Sequence, residues 1–129
     1  MTEPRWLAVA HILAIHADQI QAHGGAVGLR DRPLLESALE RPRNLFTYDS
    51  EADLSALAAA YGFGLATNHA FVDGNKRVAF QAMYLFLGLN GFRIDAPEGE
   101  VVTTILALAS GNLDETALAT WIRQHLSPR

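Results

Sequence analysis

The chain has no cysteine, which excludes a disulfide scaffold and thiolate metal sites and is compatible with a reducing cytoplasm, the expected location. It has no apolar run of the ~18 residues that a membrane span needs. The stretch Leu7 to Ile15 is short, contains His11 and lacks a small-residue cleavage site, so neither a signal peptide nor a membrane partner is expected. Bases are outnumbered: 10 Lys and Arg face 14 Asp and Glu, a formal charge of −4. A broad basic surface for direct nucleic-acid binding is therefore not expected. Arg41 with Arg43, and Lys76 with Arg77, act locally if they act at all. No linker, repeat or low-complexity stretch divides the 129 residues, half of which are hydrophobic. That composition predicts one domain, 1–129, with a single core.

What is present reads as an all-α bundle of about six helices around a buried central helix. The first helix is predicted from Pro4 to His23, stopped by Gly24-Gly25. Asp31 caps a short helix through Leu39, with Pro42 beyond its end and Asn44 to Tyr48 extended or looped. A long helix follows from Ala52 to Asn68, and another from Asn75 to Asn90-Gly91. The second of these is apolar on nearly every face from Val78 to Leu89, which marks a buried helix. Its predecessor is rich in small residues, Ala56, Ala58, Ala59, Ala60, Gly62 and Gly64, so the two are expected to pack closely. Phe92 to Ile94 reads as a short extended piece, followed by helices from Glu98 to Ala109 and Asp114 to Leu126.

The joint between the two long helices reads His69-Ala70-Phe71-Val72-Asp73-Gly74-Asn75-Lys76-Arg77. Gly74 permits a tight turn at which backbone N–H groups converge, and the helix that follows adds unsatisfied N–H groups and a positive dipole end. Lys76 and Arg77 add formal charge to this phosphate cradle. Asp73 is a single carboxylate beside it, the usual protein share of a Mg²⁺ site completed by phosphate and water. His69 carries an imidazole, a side chain suited to accept a proton from an attacking hydroxyl at neutral pH. Taken singly, each residue has a structural explanation: His69 a helix-end cap, Asp73 an N-cap, Lys76 and Arg77 a solvated first turn. The combination and its spacing describe phosphoryl or nucleotidyl transfer.

This segment resembles the signature of the Fic/Doc superfamily, H-x-F-x-(D/E)-G-N-x-R, and matches it at every fixed position. Lys76 resembles the N-K-R form of Doc-type (death-on-curing) toxins rather than the G-N-G-R of adenylyl-transferring Fic proteins. The block His16 to Asp31, with Gly24-Gly25, Gly28 and Arg30-Asp31, followed by Leu34 to Ala38, is also similar to Doc-like chains. The resemblance implies that His69 deprotonates a Ser or Thr hydroxyl, that Asp73 holds Mg²⁺, that Gly74 and Asn75 line an anion hole, and that Lys76 and Arg77 bind the phosphates of ATP. It implies a kinase acting on elongation factor Tu, held in check by a small antitoxin. Phe80 stands where adenylylating members often carry a second Arg. An adenylyltransferase on the same fold and an inactive helical binding module are the alternative readings.

The self-inhibitory pattern (S/T)-x-x-x-E-(G/N) is not met: the one Glu-Gly pair is Glu98-Gly99, and the residue four before Glu98 is Ile94. Inhibition is thus expected from another chain. Gly24, Gly25 and Gly28 lack the Gly-Lys-Ser/Thr of a phosphate loop and read as a structural turn. His11 and His16, five apart, do not share a helical face as a metal pair requires, and His16 and Asp18 read as packing or capping residues. Asn44 to Tyr48 is a family-implied flap for strand addition to a target. Trp6 and Trp121 read as core or interface residues.

Overall fold

A computed structural model describes residues 2–129. It contains α1 (Val9–His23), α2 (Arg32–Tyr48), α3 (Leu54–Asn68), α4 (Asn75–Leu89), β1 (Phe92–Ile94), α5 (Glu98–Ala109), α6 (Glu115–His125) and β2 (Leu126–Pro128). Among the described residues no helix is long and apolar enough to cross a membrane.

The centre is the pair α3 and α4, and α3 is the more enclosed of the two, buried along one run from Leu57 to Gly62. Small side chains make this possible. A Cβ added at Gly62 would collide with the Met83 sulfur of α4, and one at Gly64 would meet the Ala38 backbone of α2 at 3.2 Å. Around α3 sit α2, α4, α5 and α6, while α1 lies on α4. Aspartates begin three of the helices. Asp31, Asp53 and Asp114 accept from the N–H groups of Leu34 (3.0 Å), Ala56 (2.9 Å) and Ala117 (2.7 Å), which removes one orphan donor from each first turn. Asp53 is also gripped by Arg123 of α6 through two hydrogen bonds, and that contact holds its carboxyl below the ordinary range.

Two expectations are corrected. The first helix begins at Val9, not Pro4. Residues 2–8 form a strap without regular secondary structure whose backbone bonds to distant side chains: Arg5 pairs with Asn90 in both directions, and Leu7 N–H donates to the buried Tyr61 hydroxyl at 2.9 Å. The second helix does not stop before Pro42 but runs through it to Tyr48. Leu35, Ala38, Leu39 and Pro42 are buried on one face, and Leu45 and Phe46 continue that face, with Phe46 edge-on to Trp6. Packing of six apolar residues at helical spacing overrides the local cost of the proline. Asn44 to Tyr48 is therefore helical, its backbone engaged within α2, and is no free strand for a flap. The last helix ends at His125, within a residue of the expected Leu126. Leu126 begins β2, which pairs antiparallel with β1 in the register Phe92↔Pro128, Arg93↔Ser127, Ile94↔Leu126.

Candidate active site

The loop between α3 and α4 opens with His69, the C-cap of α3, at φ 52 and ψ 48. It is the one non-glycine residue in the left-handed region among those described. Such a conformation costs about 1–3 kcal/mol and persists where the surroundings over-determine it. Here they do. The His69 carbonyl accepts from Arg30 Nη2 at 2.5 Å, and the next carbonyl, of Ala70, accepts from the backbone N–H groups of Arg30 and Asp31 at 2.8 and 3.0 Å. Leu29 and Phe71 form an antiparallel bridge, and Val72 N–H donates to Gly28. The glycine-rich segment before α2 thus lies along the loop as a short backbone splint.

Phe71 is buried and anchors the loop in the core. His16 of α1 stacks on it at 3.9 Å between ring centroids, nearly parallel. His16 Nε2 lies 2.9 Å from the Asp73 carbonyl, and since a carbonyl only accepts, that nitrogen carries the hydrogen. Asp73 is exposed. One of its carboxylate oxygens accepts from Gly74 N–H at 2.8 Å and the other from Ala26 N–H at 3.3 Å. Gly25 is required beside it: a Cβ there would lie 2.6 Å from the Asp73 Oδ2.

Gly74, at φ 82, turns the chain into α4. The Asn75 side chain folds back on Phe71, accepting from its N–H and donating to its carbonyl, both at 3.0 Å. Asn75 is therefore the brace of the loop, and its amide is not available to an anion. Only its backbone N–H is free to line an anion hole. Among the described residues no hydrogen bond takes up the N–H groups of Asn75, Lys76 or Arg77, and no acidic residue stands in that first turn. Lys76 and Arg77 are exposed, and neither is paired with a carboxylate. Open N–H groups, a helix dipole and two free cations give a strongly electropositive spot.

His69, Asp73, Gly74, Asn75, Lys76 and Arg77 all line one cleft of about 940 Å³. Beyond the cations its wall turns apolar, formed by Phe80 and Tyr84 of α4 and by Val101, Val102, Ile105 and Leu106 of α5. Val102 and Leu106 are half exposed. Among the described residues no group of three or more His, Asp or Glu side chains converges on a point, so Asp73 stands as a lone carboxylate. Its oxygens keep lone pairs beyond the two N–H groups they accept. That donor set fits an ion whose remaining ligands are phosphate oxygens and water.

Every residue singled out in the nine-residue segment is thus brought to one place. Sequence reasoning missed the partners that shape it, namely His16, Gly25 and Arg30. His16 was read as a packing or capping residue and Gly25 as part of a structural turn, as they are, but nothing in their spacing said that they or Arg30 meet the loop.

Two comparisons bear on this arrangement. Residues 6–87 match the model of the Fic/DOC family. The chain is 30% identical over 121 residues to "Protein kinase doc" of Escherichia phage P1, spanning 93% of this chain and 94% of that protein. It is 38% identical over 101 residues to "Toxin Doc" of Mycolicibacterium smegmatis, spanning 74% of this chain and 78% of that protein.

Proposed function

The chain belongs to the Fic/Doc family, and from that premise we propose that it is a Doc-type toxin transferring the γ-phosphate of ATP to a Ser or Thr hydroxyl of a target protein. The observation that carries this reading is the unpartnered first turn of α4, with free N–H groups and free Lys76 and Arg77 beside Asp73 and His69 in one cleft. The relative from phage P1 is named a protein kinase, which favours phosphoryl over nucleotidyl transfer. Phe80 on the cleft wall, in place of a second cation, supports the same choice.

In this mechanism the open N–H groups and the two cations hold the phosphates and neutralise charge that builds on the transferring group. His69 accepts the proton of the attacking hydroxyl. The hydroxyl oxygen bonds to the γ-phosphorus as the bond from that phosphorus to the β–γ bridging oxygen breaks, and ADP leaves. Asp73 would hold Mg²⁺, which supplies further neutralisation of the phosphates when bound.

The target class that fits the resemblance is a translation factor such as elongation factor Tu. The exposed apolar wall of α5 supports control in trans by a small antitoxin that orders on it. The test is to incubate the chain with target extract, Mg²⁺ and ATP labelled at either the α or the γ position. Label on protein from γ-labelled ATP alone, with a target mass gain of one phosphate, is expected. Label from α-labelled ATP would establish adenylyl transfer instead. No label from either, with the chain harmless when expressed, would leave a binding module.

A further inference from the structure

Among the described residues, the hydrogen bonds that reach residues 69–74 from outside the loop and its helix all come from residues 16–31. Two of them are donated by side chains of that segment, and they fall at opposite ends of the loop. Arg30 holds the carbonyl of His69, and His16 holds the carbonyl of Asp73.

Each carbonyl belongs to a rigid peptide plane, so fixing it fixes the N–H on the other side. The Asp73 carbonyl shares its plane with the Gly74 N–H, and that N–H is the donor to the Asp73 carboxylate. His16 therefore sets the plane on which the carboxylate is oriented. His16 is itself held by burial and by stacking on Phe71, so it is a stiff reference point. The His69 carbonyl shares its plane with the Ala70 N–H. Arg30 thereby helps hold the left-handed turn from which the His69 side chain projects. No hydrogen bond among the described residues orients the His69 ring directly, so its direction depends on that backbone.

We propose that His16 and Arg30 are positioning residues, His16 for the carboxylate of Asp73 and Arg30 for the imidazole of His69. The inference rests on the functional reading above for what the loop is positioned to do. The two residues act on different halves of the reaction. His16 serves the phosphate and metal half, and Arg30 serves the proton-accepting half.

The test uses the full chain and the substitutions His16→Phe, His16→Gln and Arg30→Met. His16→Phe keeps an aromatic ring on Phe71 and removes the donor, whereas His16→Gln restores a donor at a similar reach. Arg30 is exposed, so Arg30→Met keeps the fold even if a change at buried His16 does not. The first readout is amide hydrogen exchange over residues 69–77, which needs no substrate. His16→Phe is expected to speed exchange at Gly74, and Arg30→Met at Val72, whose N–H donates to the Gly28 carbonyl beside Arg30, by about tenfold or more, with His16→Gln near the wild type. The second readout is γ-phosphate transfer. His16→Phe is expected to raise the KM for ATP and the Mg²⁺ requirement, with recovery in His16→Gln. Arg30→Met is expected to lower kcat by roughly 10- to 100-fold, the range for a misplaced reacting group, at a nearly unchanged KM. Exchange unchanged in both His16→Phe and Arg30→Met would overturn the proposal, as would full transfer in variants whose loop has opened. If the wild-type chain transfers nothing, the functional reading fails, and the exchange data alone then uphold or overturn the clamp.

Discussion

Replacing Asn75 by alanine separates the two jobs that a residue in this segment can do. The Asn75 side chain makes two hydrogen bonds to the backbone of Phe71, both at 3.0 Å. Each is worth about 1 kcal/mol, and a buried partner left unsatisfied costs about 1–3 kcal/mol. Phe71 is 2% exposed, so water cannot readily take over. Alanine recovers roughly 0.5 kcal/mol as a better helix former. The expected net loss is about 2–3 kcal/mol. For a chain of this size that lowers Tm by roughly 6–15 °C. The assay is urea unfolding followed by circular dichroism, where the midpoint should fall at constant slope. Lys76→Ala is the contrast. Its side chain is exposed and unpaired, so stability should stay within about 0.5 kcal/mol while phosphate transfer falls. An Asn75→Ala protein that unfolds at the wild-type midpoint would refute the brace.

His69→Ala should lower transfer by about 10²–10⁴-fold and relieve toxicity, with the protein still folded at equal expression, since His69 is exposed. Growth arrest that survives the substitution would rule out His69 as the base. Gly62→Ala should cost about 1–3 kcal/mol by overpacking against Met83, read as a lower urea midpoint. The Asp53–Arg123 contact should give an acid-sensitive share of stability. The Arg123 hydrogen bonds lower the native pKa of Asp53, so the unfolded chain binds the proton more readily. The contribution is then whole above the ordinary carboxyl range and is lost as pH falls through the lower native value. Arg123→Met should flatten that part of the stability–pH curve, and an unchanged curve below pH 4 would count against it.

Much of the molecule follows from local sequence. Helices α4, α5 and α6 lie within a residue or two of where apolar spacing, Asp114 and the Asn90-Gly91 stop put them. The small residues of α3 foretold its close packing, because only glycine at position 62 leaves room for Met83. The candidate site was legible because its residues are contiguous, nine positions in which a turn, a helix start and the charges all lie together. The course of α2 through Pro42 was not legible. A proline is a strong local stop, and it is outweighed only by a buried face that exists once α3 and Trp6 are in place. The strap over residues 2–8 is likewise decided by Asn90 and Tyr61, far along the chain. The same holds at the site. The motif supplied His69 and Asp73, but Arg30 reaches its carbonyl from 39 residues away and His16 from 57. Contacts at such separations leave no periodicity in the sequence. Their geometry is fixed by how α1 and the glycine segment pack against the loop, so only the tertiary structure decides it.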